Sequence, residues 1–240
     1  PGIHIFDWFA ITDLDETYTD ARLDLSVTIK NYSQQPAQNF TLKSTLYDSE
    51  KRIVKSLTGE PFSVPPGGDI TLNLSGTVEN PLKWSAESPD LYLLAFELIS
   101  QDGKILEAIS GRIGFRETEI KDQVFYLNGK PVKLNGINSH MQHPVSGHTM
   151  DEATIRKDMS LLKQFNINCV RTSHYPPVNK YLDLADEYGL YIIDETGDEA
   201  HATEYLSSDR AWEGMYRERA RKMVLRDRNH PSVLFWSAGN

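Results

Sequence analysis

Histidine, carboxylate and amide side chains follow four short apolar segments in the second half of this 240-residue sequence. They are Asn138, His140 and His143 after the first segment, Arg171 and His174 after the second, Asp194, Glu195, Glu199 and His201 after the third, and Asn240 after the fourth. Imidazoles and carboxylates transfer protons and bind metal ions, so these residue types suit acid–base or metal chemistry. If the segments are parallel strands, their carboxyl ends meet at one rim, where active sites lie.

The four apolar segments alternate with stretches of helical periodicity. Strands are predicted at 132–138, 166–174, 190–195 and 232–240, and helices at 150–165, 177–189 and 207–227. Strands joined by helical crossovers indicate a parallel sheet inside an α/β fold. A closed (β/α)8 barrel needs roughly 250 residues, whereas only 120 run from Lys121 to Asn240. The pattern therefore fits either a small open α/β sheet or the first half of a barrel.

Residues 3–117 show the period of two that is typical of half-buried strands. The segment RLDLSVTIKN alternates apolar and polar residues, and DITLNLSGTV does the same. About seven such strands with no helix between them predict an antiparallel β-sandwich of immunoglobulin type. We therefore expect an immunoglobulin-like sandwich domain at 1–117 and an α/β domain at 118–240.

The composition excludes several classes of function. Hydrophobic residues make up 39% of the chain, yet no run of roughly eighteen apolar residues predicts a membrane span. A net charge of -9 argues against general affinity for nucleic acid, which requires clustered positive charge. Because Cys169 is the only cysteine, neither an intrachain disulfide nor a cysteine zinc site is possible.

Local sequence context distinguishes some of the polar candidates from others. His174 lies in TSHYPP, whose prolines predict a rigid turn that holds the imidazole in place. Arg171 lies in a buried strand, so an ion pair is expected for its guanidinium. Asp194 and Glu195 are consecutive in a predicted strand and face opposite sides, which makes them a poor catalytic pair.

Glu199 and His201 are two residues apart, which in an extended backbone places both side chains on one face. A carboxylate and an imidazole so placed can share a metal ion, and magnesium suits a site rich in oxygen and water. On spacing alone, two surface residues of a loop are an equally good interpretation. The sequence contains no nucleophile elbow, phosphate loop or zinc signature.

Several long segments resemble the β-galactosidase branch of glycoside hydrolase family 2. They are GINSHMQHPVSGH, MDEATIRKDMSLLKQFNINCVRTSHYPP, LDLADEYGLYIIDETGDEAH and RDRNHPSVLFWSAGN, in the order found in the family. WSAESPDLY is similar to a stretch of the family's immunoglobulin-like domain, and FYLNGKPVKLNGIN is similar to its passage from sandwich to barrel. The resemblance implies that residues 118–240 are the first four βα units of a truncated (β/α)8 TIM barrel.

The resemblance also implies a retaining mechanism, in which two carboxyl groups flank the glycosidic bond of a β-galactoside substrate. In the family, the acid/base Glu directly follows the residue that corresponds to Asn240, and the nucleophile comes from a later strand. We therefore expect no catalytic residue in this chain and no activity from it alone. Asn240, His140 and His174 are similar to residues that contact the sugar hydroxyls. Glu199 and His201 match ligands of an active-site Mg²⁺.

The stretch ETGDEAH favours a galactosidase over a glucuronidase, although an enzyme for another β-linked sugar also fits the resemblance. A different class of function is a non-catalytic carbohydrate-binding or interaction module that uses the sandwich as its working surface. The resemblance implies an intact enzyme that is a homo-oligomer, without nucleic-acid or membrane partners, in the cytoplasm or periplasm of a bacterium. The exposed faces of a half barrel predict self-association of the chain.

Overall fold

The computed structural model describes residues 2–199, 201–203 and 205–240, which form two compact units. The first unit comprises the chain up to Lys83 together with Asp90–Glu117, and the second comprises Trp84–Pro89 and Thr118–Asn240. The first is an antiparallel sandwich and the second contains a parallel sheet with helices, so the predicted fold class is confirmed. Within the described residues, every helix is too short or too polar to span a bilayer.

Eight strands build the described part of the first unit. They are β1 (Ile3–Leu14), β2 (Ala21–Asn31), β3 (Ala37–Tyr47), β4 (Ile53–Thr58), β5 (Phe62–Val64), β6 (Asp69–Val78), β7 (Tyr92–Ile99) and β8 (Ile105–Ile113). One sheet has the order β1-β2-β6, and the other has the order β4-β3-β7-β8 with β5 paired to β3. Periodicity does not predict β5, because its three residues are too few to show an alternation.

The alternation in β2 supplies the centre of the sandwich core. Leu23, Leu25, Val27 and Ile29 are each at most 2% exposed, and the residues between them are more exposed. Burying one such aliphatic side chain stabilises a fold by about 1.5–3 kcal/mol. A shift of one residue in the pairing of β2 would expose all four side chains, so this pattern sets the strand register.

The second unit begins with a small antiparallel sheet and continues with alternating strands and helices. Its described elements are β9 (Thr118–Lys121), β10 (Val124–Leu127), β11 (Lys130–Pro131), β12 (Gly136–Asn138), α1 (Glu152–Gln164), β13 (Cys169–Arg171), α2 (Asn179–Tyr188), β14 (Tyr191–Glu195), α3 (Tyr205–Ser208), a 3-10 helix at Arg210–Trp212, α4 (Glu213–Asp227) and β15 (Val233–Ser237). The sheet order β12-β13-β14-β15 is parallel throughout, as the helical crossovers predict. The strand predicted at 132–138 is shorter, because β9, β10 and β11 form a separate sheet before it.

Capping residues set the limits of the first two long helices. Asp151 is the N-cap of α1, and its side chain accepts a hydrogen bond of 2.8 Å from the Thr154 amide. Gly189 ends α2 in the left-handed conformation, with a φ of 69°. Ile155 and Met159 of α1 lie in the core that also contains residues of β13, α2 and β14. The caps therefore orient the helices that pack on the parallel sheet.

Replacing Gly189 by alanine is expected to destabilise the second unit strongly. A Cβ atom at Gly189 would lie 2.4 Å from the Ala86 carbonyl oxygen, and the positive φ adds strain for an L residue. We expect Gly189→Ala to lower the free energy of unfolding in urea by about 2–4 kcal/mol. Gly147→Ala is the control, because Gly147 has a φ of 65° but no atom within 4 Å of the added Cβ. Its cost should be about 1 kcal/mol, and equal losses in both variants would contradict the steric argument.

Candidate active site

The last residues of the four parallel strands lie side by side. Asn138 of β12 pairs in register with Arg171 of β13, and Glu195 of β14 pairs with Ser237 of β15. Each of these residues is the last of its strand. Because parallel strands direct their carboxyl ends to one edge of the sheet, four polar side chains converge there. With two residues that follow the strands, they form a group that we name the rim cluster: Asn138, Arg171, His174, Glu195, Ser237 and Asn240.

Glu195 is the centre of the rim cluster. Its side chain is 0% exposed, and Arg171 binds both of its carboxylate oxygens through Nε and Nη2. The distance from Arg171 Nη2 to Oε1 is 2.9 Å, and the Ser237 hydroxyl donates to Oε2 at 2.8 Å. His174 Nδ1 lies 2.7 Å from Oε1. The ion pair predicted for Arg171 is therefore confirmed.

The surroundings of Glu195 keep its carboxylate charged. Burial raises the pKa of this group, because a charge is poorly solvated inside a protein. Hydrogen bonds from Arg171, His174 and Ser237 lower the pKa and outweigh burial, so the net shift is downward. Glu195 is consequently an ionised, fully bound carboxylate at neutral pH, which suits it to hold other groups in place.

Arg171 also orients the amide of Asn240. Its Nη2 donates to Asn240 Oδ1 at 3.1 Å, and its Nη1 lies 3.5 Å from Asn138 Oδ1. A guanidinium only donates hydrogen bonds, so Asn240 must turn its amide oxygen toward Arg171. The amide NH₂ group of Asn240 then points away from the ion pair and can donate to a ligand.

Two histidines predicted as sugar-binding residues lie next to each other. The rings of His140 and His174 meet edge to face, with centroids 5.3 Å apart. The Tyr175 ring lies 6.0 Å from His140, and the Tyr175 amide donates to the Thr172 carbonyl at 3.1 Å. This turn directly precedes the prolines of TSHYPP and holds His174 beside Glu195. The structure thus brings His140, His174 and Asn240 to one rim, and their roles in sugar binding stay predictions.

The other two histidines of this region serve their own loops. His143 Nδ1 accepts hydrogen bonds from the amides of Val145 and Ser146 at 3.2 and 3.1 Å. His148 Nδ1 lies 3.1 Å from the Met141 carbonyl oxygen in its own loop, and 3.2 Å from the Tyr175 hydroxyl. Each ring is therefore engaged in local contacts that stabilise the segment between β12 and α1.

Asp194 faces the opposite side of β14 from Glu195, as the alternation of a strand predicts. Its side chain is fully buried beside the carboxyl group of Asp227, and the Thr172 hydroxyl lies 3.4 Å from Oδ1. Its Oδ2 has no hydrogen-bond donor among the described residues. Burial and then the neighbouring Asp227 raise the pKa of Asp194, while Arg226 forks onto Asp227 at 2.6 and 2.8 Å. Asp194 therefore has a structural role, as a buried residue that faces away from the rim.

The predicted magnesium ligands Glu199 and His201 are both exposed and follow β14 in a loop. Ala200 between them lies outside the described residues. In residues 2–199, 201–203 and 205–240, no three His, Cys, Asp or Glu side chains are grouped so that they could hold a metal ion. The described residues thus do not complete a magnesium site, and the metal assignment stays a prediction.

Sequence reasoning listed Glu195 after the third strand but gave it no role, and it did not single out Ser237. It rejected Asp194 and Glu195 as a catalytic pair because consecutive strand residues face opposite sides, although the same alternation lets one of the two face the rim. The sequence gives little indication of a role for Ser237, since a serine near the end of a strand is common. The useful indication was position: Glu195 is the last residue of the predicted strand 190–195, and Ser237 directly follows the apolar residues 233–236.

Comparison with known protein families identifies the class of protein to which the two units and the rim cluster belong. Residues 3–116 match the family described as "Glycosyl hydrolases family 2", and residues 118–240 match "Glycosyl hydrolases family 2, TIM barrel domain". The chain therefore belongs to glycosyl hydrolase family 2, and its parallel sheet is the start of that family's TIM barrel. The resemblance drawn from the sequence is confirmed.

Similar relatives include two β-galactosidases. The one from Priestia megaterium (strain DSM 319 / IMG 1521) is 38% identical over 252 residues, which cover 100% of this chain and 24% of the relative. The one from Vibrio vulnificus (strain YJ016) is 38% identical over 242 residues, which cover 98% of this chain and 23% of the relative. The chain thus spans about a quarter of the length of the curated relatives that it matches.

Solved structures with a similar fold include a glycosyl hydrolase family 2 member from Bacteroides cellulosilyticus DSM 14838. It is 26% identical with a TM-score of 0.87, and the match covers 99% of this chain and 31% of that one. The β-glucuronidase from Bifidobacterium dentium complexed with coumarin-3-O-glucuronide is 26% identical with a TM-score of 0.86, covering 99% and 38%. These similarities include enzymes named for two different sugars.

Removing the positive partner of Glu195 is expected to destabilise the second unit. In Arg171→Met, a fully buried carboxylate loses its counter-charge, and breaking such a pair costs about 3–5 kcal/mol. The matched control is Arg156→Met, because the Arg156 side chain is 41% exposed and binds Glu152 and Glu187 at the surface. That variant should lose far less stability, because ion pairs exposed to solvent contribute little. Urea unfolding measures both, and similar losses would show that Glu195 does not depend on Arg171.

The raised pKa of Asp194 predicts a pH-dependent stability. Because the folded state binds this proton more tightly than the unfolded state, the free energy of unfolding falls as pH rises. The contribution is complete below about pH 4 and is lost as pH rises through the raised pKa. An asparagine at this position cannot titrate. In Asp194→Asn, the slope of unfolding free energy against pH should therefore change by the equivalent of up to about one bound proton.

The control for this measurement is Asp183→Asn, on the surface of α2, where the side chain is 37% exposed. Its pH slope should match that of the unmodified chain in urea unfolding over a pH series. An unchanged slope in Asp194→Asn would contradict the assignment of a protonated Asp194. The difference between this variant and the unmodified chain reports the titration of the adjoining carboxyl groups of Asp194 and Asp227.

Proposed function

We propose that this chain is part of a retaining β-galactosidase and supplies substrate contacts rather than the catalytic carboxylates. The observation that carries the proposal is the rim cluster, in which Glu195 neutralises Arg171. His140, His174 and Asn240 lie at the same rim and offer donors and acceptors suited to sugar hydroxyls. The similarity to β-galactosidases along the entire chain supports this assignment.

The charge balance of the rim favours a neutral sugar. A galactoside presents neutral hydroxyl groups, which can be bound by neutral donors and acceptors and require no charged partner. A glucuronide carries a carboxylate, and the fitting partner for a carboxylate is an available guanidinium or ammonium group. Among the six residues of the rim cluster, Arg171 carries the guanidinium group. This group already binds Glu195 and Asn240. We therefore assign a β-galactoside, rather than a β-glucuronide, as the substrate.

The two acidic residues at the end of β14 are committed to structural contacts. Retaining hydrolysis needs two carboxyl groups about 5–5.5 Å apart, one as acid/base and one as nucleophile. Both oxygens of Glu195 are bound by Arg171, and Asp194 faces Asp227 on the other side of the strand. We assign neither as catalytic, and we propose that both catalytic groups come from parts of the enzyme outside residues 1–240.

Asn240 is the residue of this chain with the most direct proposed role. Its amide oxygen is held by Arg171, so its NH₂ group is the free donor. Donation to the 2-hydroxyl of the sugar would strengthen as positive charge develops on the ring, and an interaction that strengthens in this way accelerates the reaction. Glu199 and His201 stay proposed ligands of Mg²⁺ in the intact enzyme, and we assign no step of the reaction to that ion.

The proposal is tested with nitrophenyl β-galactoside and the full-length gene product. Asn240→Ala should lower kcat/KM by about 10²-fold, because a hydrogen bond that strengthens in the transition state is lost. Asn179→Ala, exposed at the start of α2, is the matched control and should leave kcat/KM unchanged.

Two parallel assays separate the parts of the proposal. Nitrophenyl β-glucuronide should be hydrolysed far more slowly than the galactoside, and the reverse preference would overturn the substrate assignment. Residues 1–240 alone should release no nitrophenol from either compound. Turnover by that chain would show that one of its own carboxylates is catalytic.

A further inference from the structure

We propose that Glu195 is a positioning residue that determines which ring nitrogen of His174 carries the proton. The inference rests on the proposed role of His174 in sugar binding and extends it to the residue behind the imidazole. Glu195 contacts the ring at Nδ1, on the side opposite Nε2, and so acts on a ligand only through His174.

The contacts of Nδ1 decide the position of the proton. Glu195 Oε1 lies 2.7 Å from Nδ1, and a carboxylate can only accept a hydrogen bond. Arg171 Nη2 lies 3.5 Å from the same nitrogen, and a guanidinium can only donate. These two neighbours therefore favour opposite tautomers of the His174 ring. The contact to the carboxylate is the shorter one, and Arg171 Nη2 already donates to Glu195 and Asn240. The carboxylate therefore prevails and places the hydrogen on Nδ1.

The position of Glu195 does not depend on His174. Arg171 and Ser237 bind its carboxylate oxygens, and the Thr172 hydroxyl accepts a hydrogen bond of 3.0 Å from its amide. The carboxylate is therefore held by groups from β13 and β15, and the backbone of Glu195 is held by the loop after β13. A fixed acceptor behind an imidazole sets both the tautomer and the orientation of the ring, as it does for metal-binding histidines.

This arrangement determines which hydrogen bond the exposed side of the His174 ring can make. The side chain is 17% exposed, and Nε2 has no hydrogen-bond partner among the described residues. With the hydrogen on Nδ1, the neutral ring presents a lone pair at Nε2. That nitrogen then accepts a hydrogen bond from a sugar hydroxyl, while the NH₂ group of Asn240 donates one. Glu195 and Arg171 thus give the two neighbouring ligand contacts opposite polarity.

The tautomer is measured by long-range ¹H–¹⁵N NMR of residues 1–240 labelled with ¹⁵N-histidine, in alkaline buffer. The chain contains seven histidines, and the signals of His174 are those lost in His174→Gln. We expect the Nδ1–H tautomer at His174. A predominant Nε2–H tautomer would overturn the inference. This result does not require binding of any sugar, so it is distinct from failure of the proposed function.

The role of the carboxylate is tested with Glu195→Gln. A neutral amide oxygen is a weaker acceptor than a carboxylate, so the ratio of Nδ1–H to Nε2–H at His174 should fall about tenfold. Glu218→Gln, on the surface of α4, is the matched control and should leave the ratio unchanged. An unchanged ratio in folded Glu195→Gln would overturn the role of Glu195. If that variant does not fold, as judged by circular dichroism, the tautomer of the unmodified chain decides.

Discussion

The buried ion pair between Arg171 and Glu195 is the constraint on which the rim of the parallel sheet depends. Removing two charges from water costs several kcal/mol for each ion, and the attraction offsets that cost only when geometry and hydrogen bonding are good. Here both carboxylate oxygens have partners, and Ser237 and His174 complete the set. With Ser237, the pair connects the ends of β13, β14 and β15 through their side chains.

The same strand shows how burial can have opposite consequences for two neighbouring acids. Glu195 is buried against a guanidinium, so it stays ionised. Asp194 is buried against another carboxyl group, so its proton is retained. The strand alternation separates the two environments by one residue. One acid therefore organises the polar rim, and the other belongs to the packing between β14 and the end of α4.

Most of the fold could be predicted from the sequence because burial on one face leaves a periodic pattern. Seven of the eight described strands of the sandwich and the parallel order of β12, β13, β14 and β15 follow from that pattern. The strands that were not predicted are β5 and those of the sheet of β9, β10 and β11, which have two to four residues. Such strands are too short to show a period. The single helix predicted at 207–227 is divided into α3, a 3-10 helix and α4.

For the site, the residue pattern establishes which side chains follow each strand and that Asp194 and Glu195 face apart. Only the folded arrangement establishes which of them meet. Arg171 and Glu195 are 24 positions apart, and their contact requires the parallel register of β13 and β14. His174 turns its Nδ1 to Glu195, whereas His143 binds the backbone of its own loop. Composition is a local property of the chain, but a hydrogen bond depends on distance and direction between residues that only folding brings together.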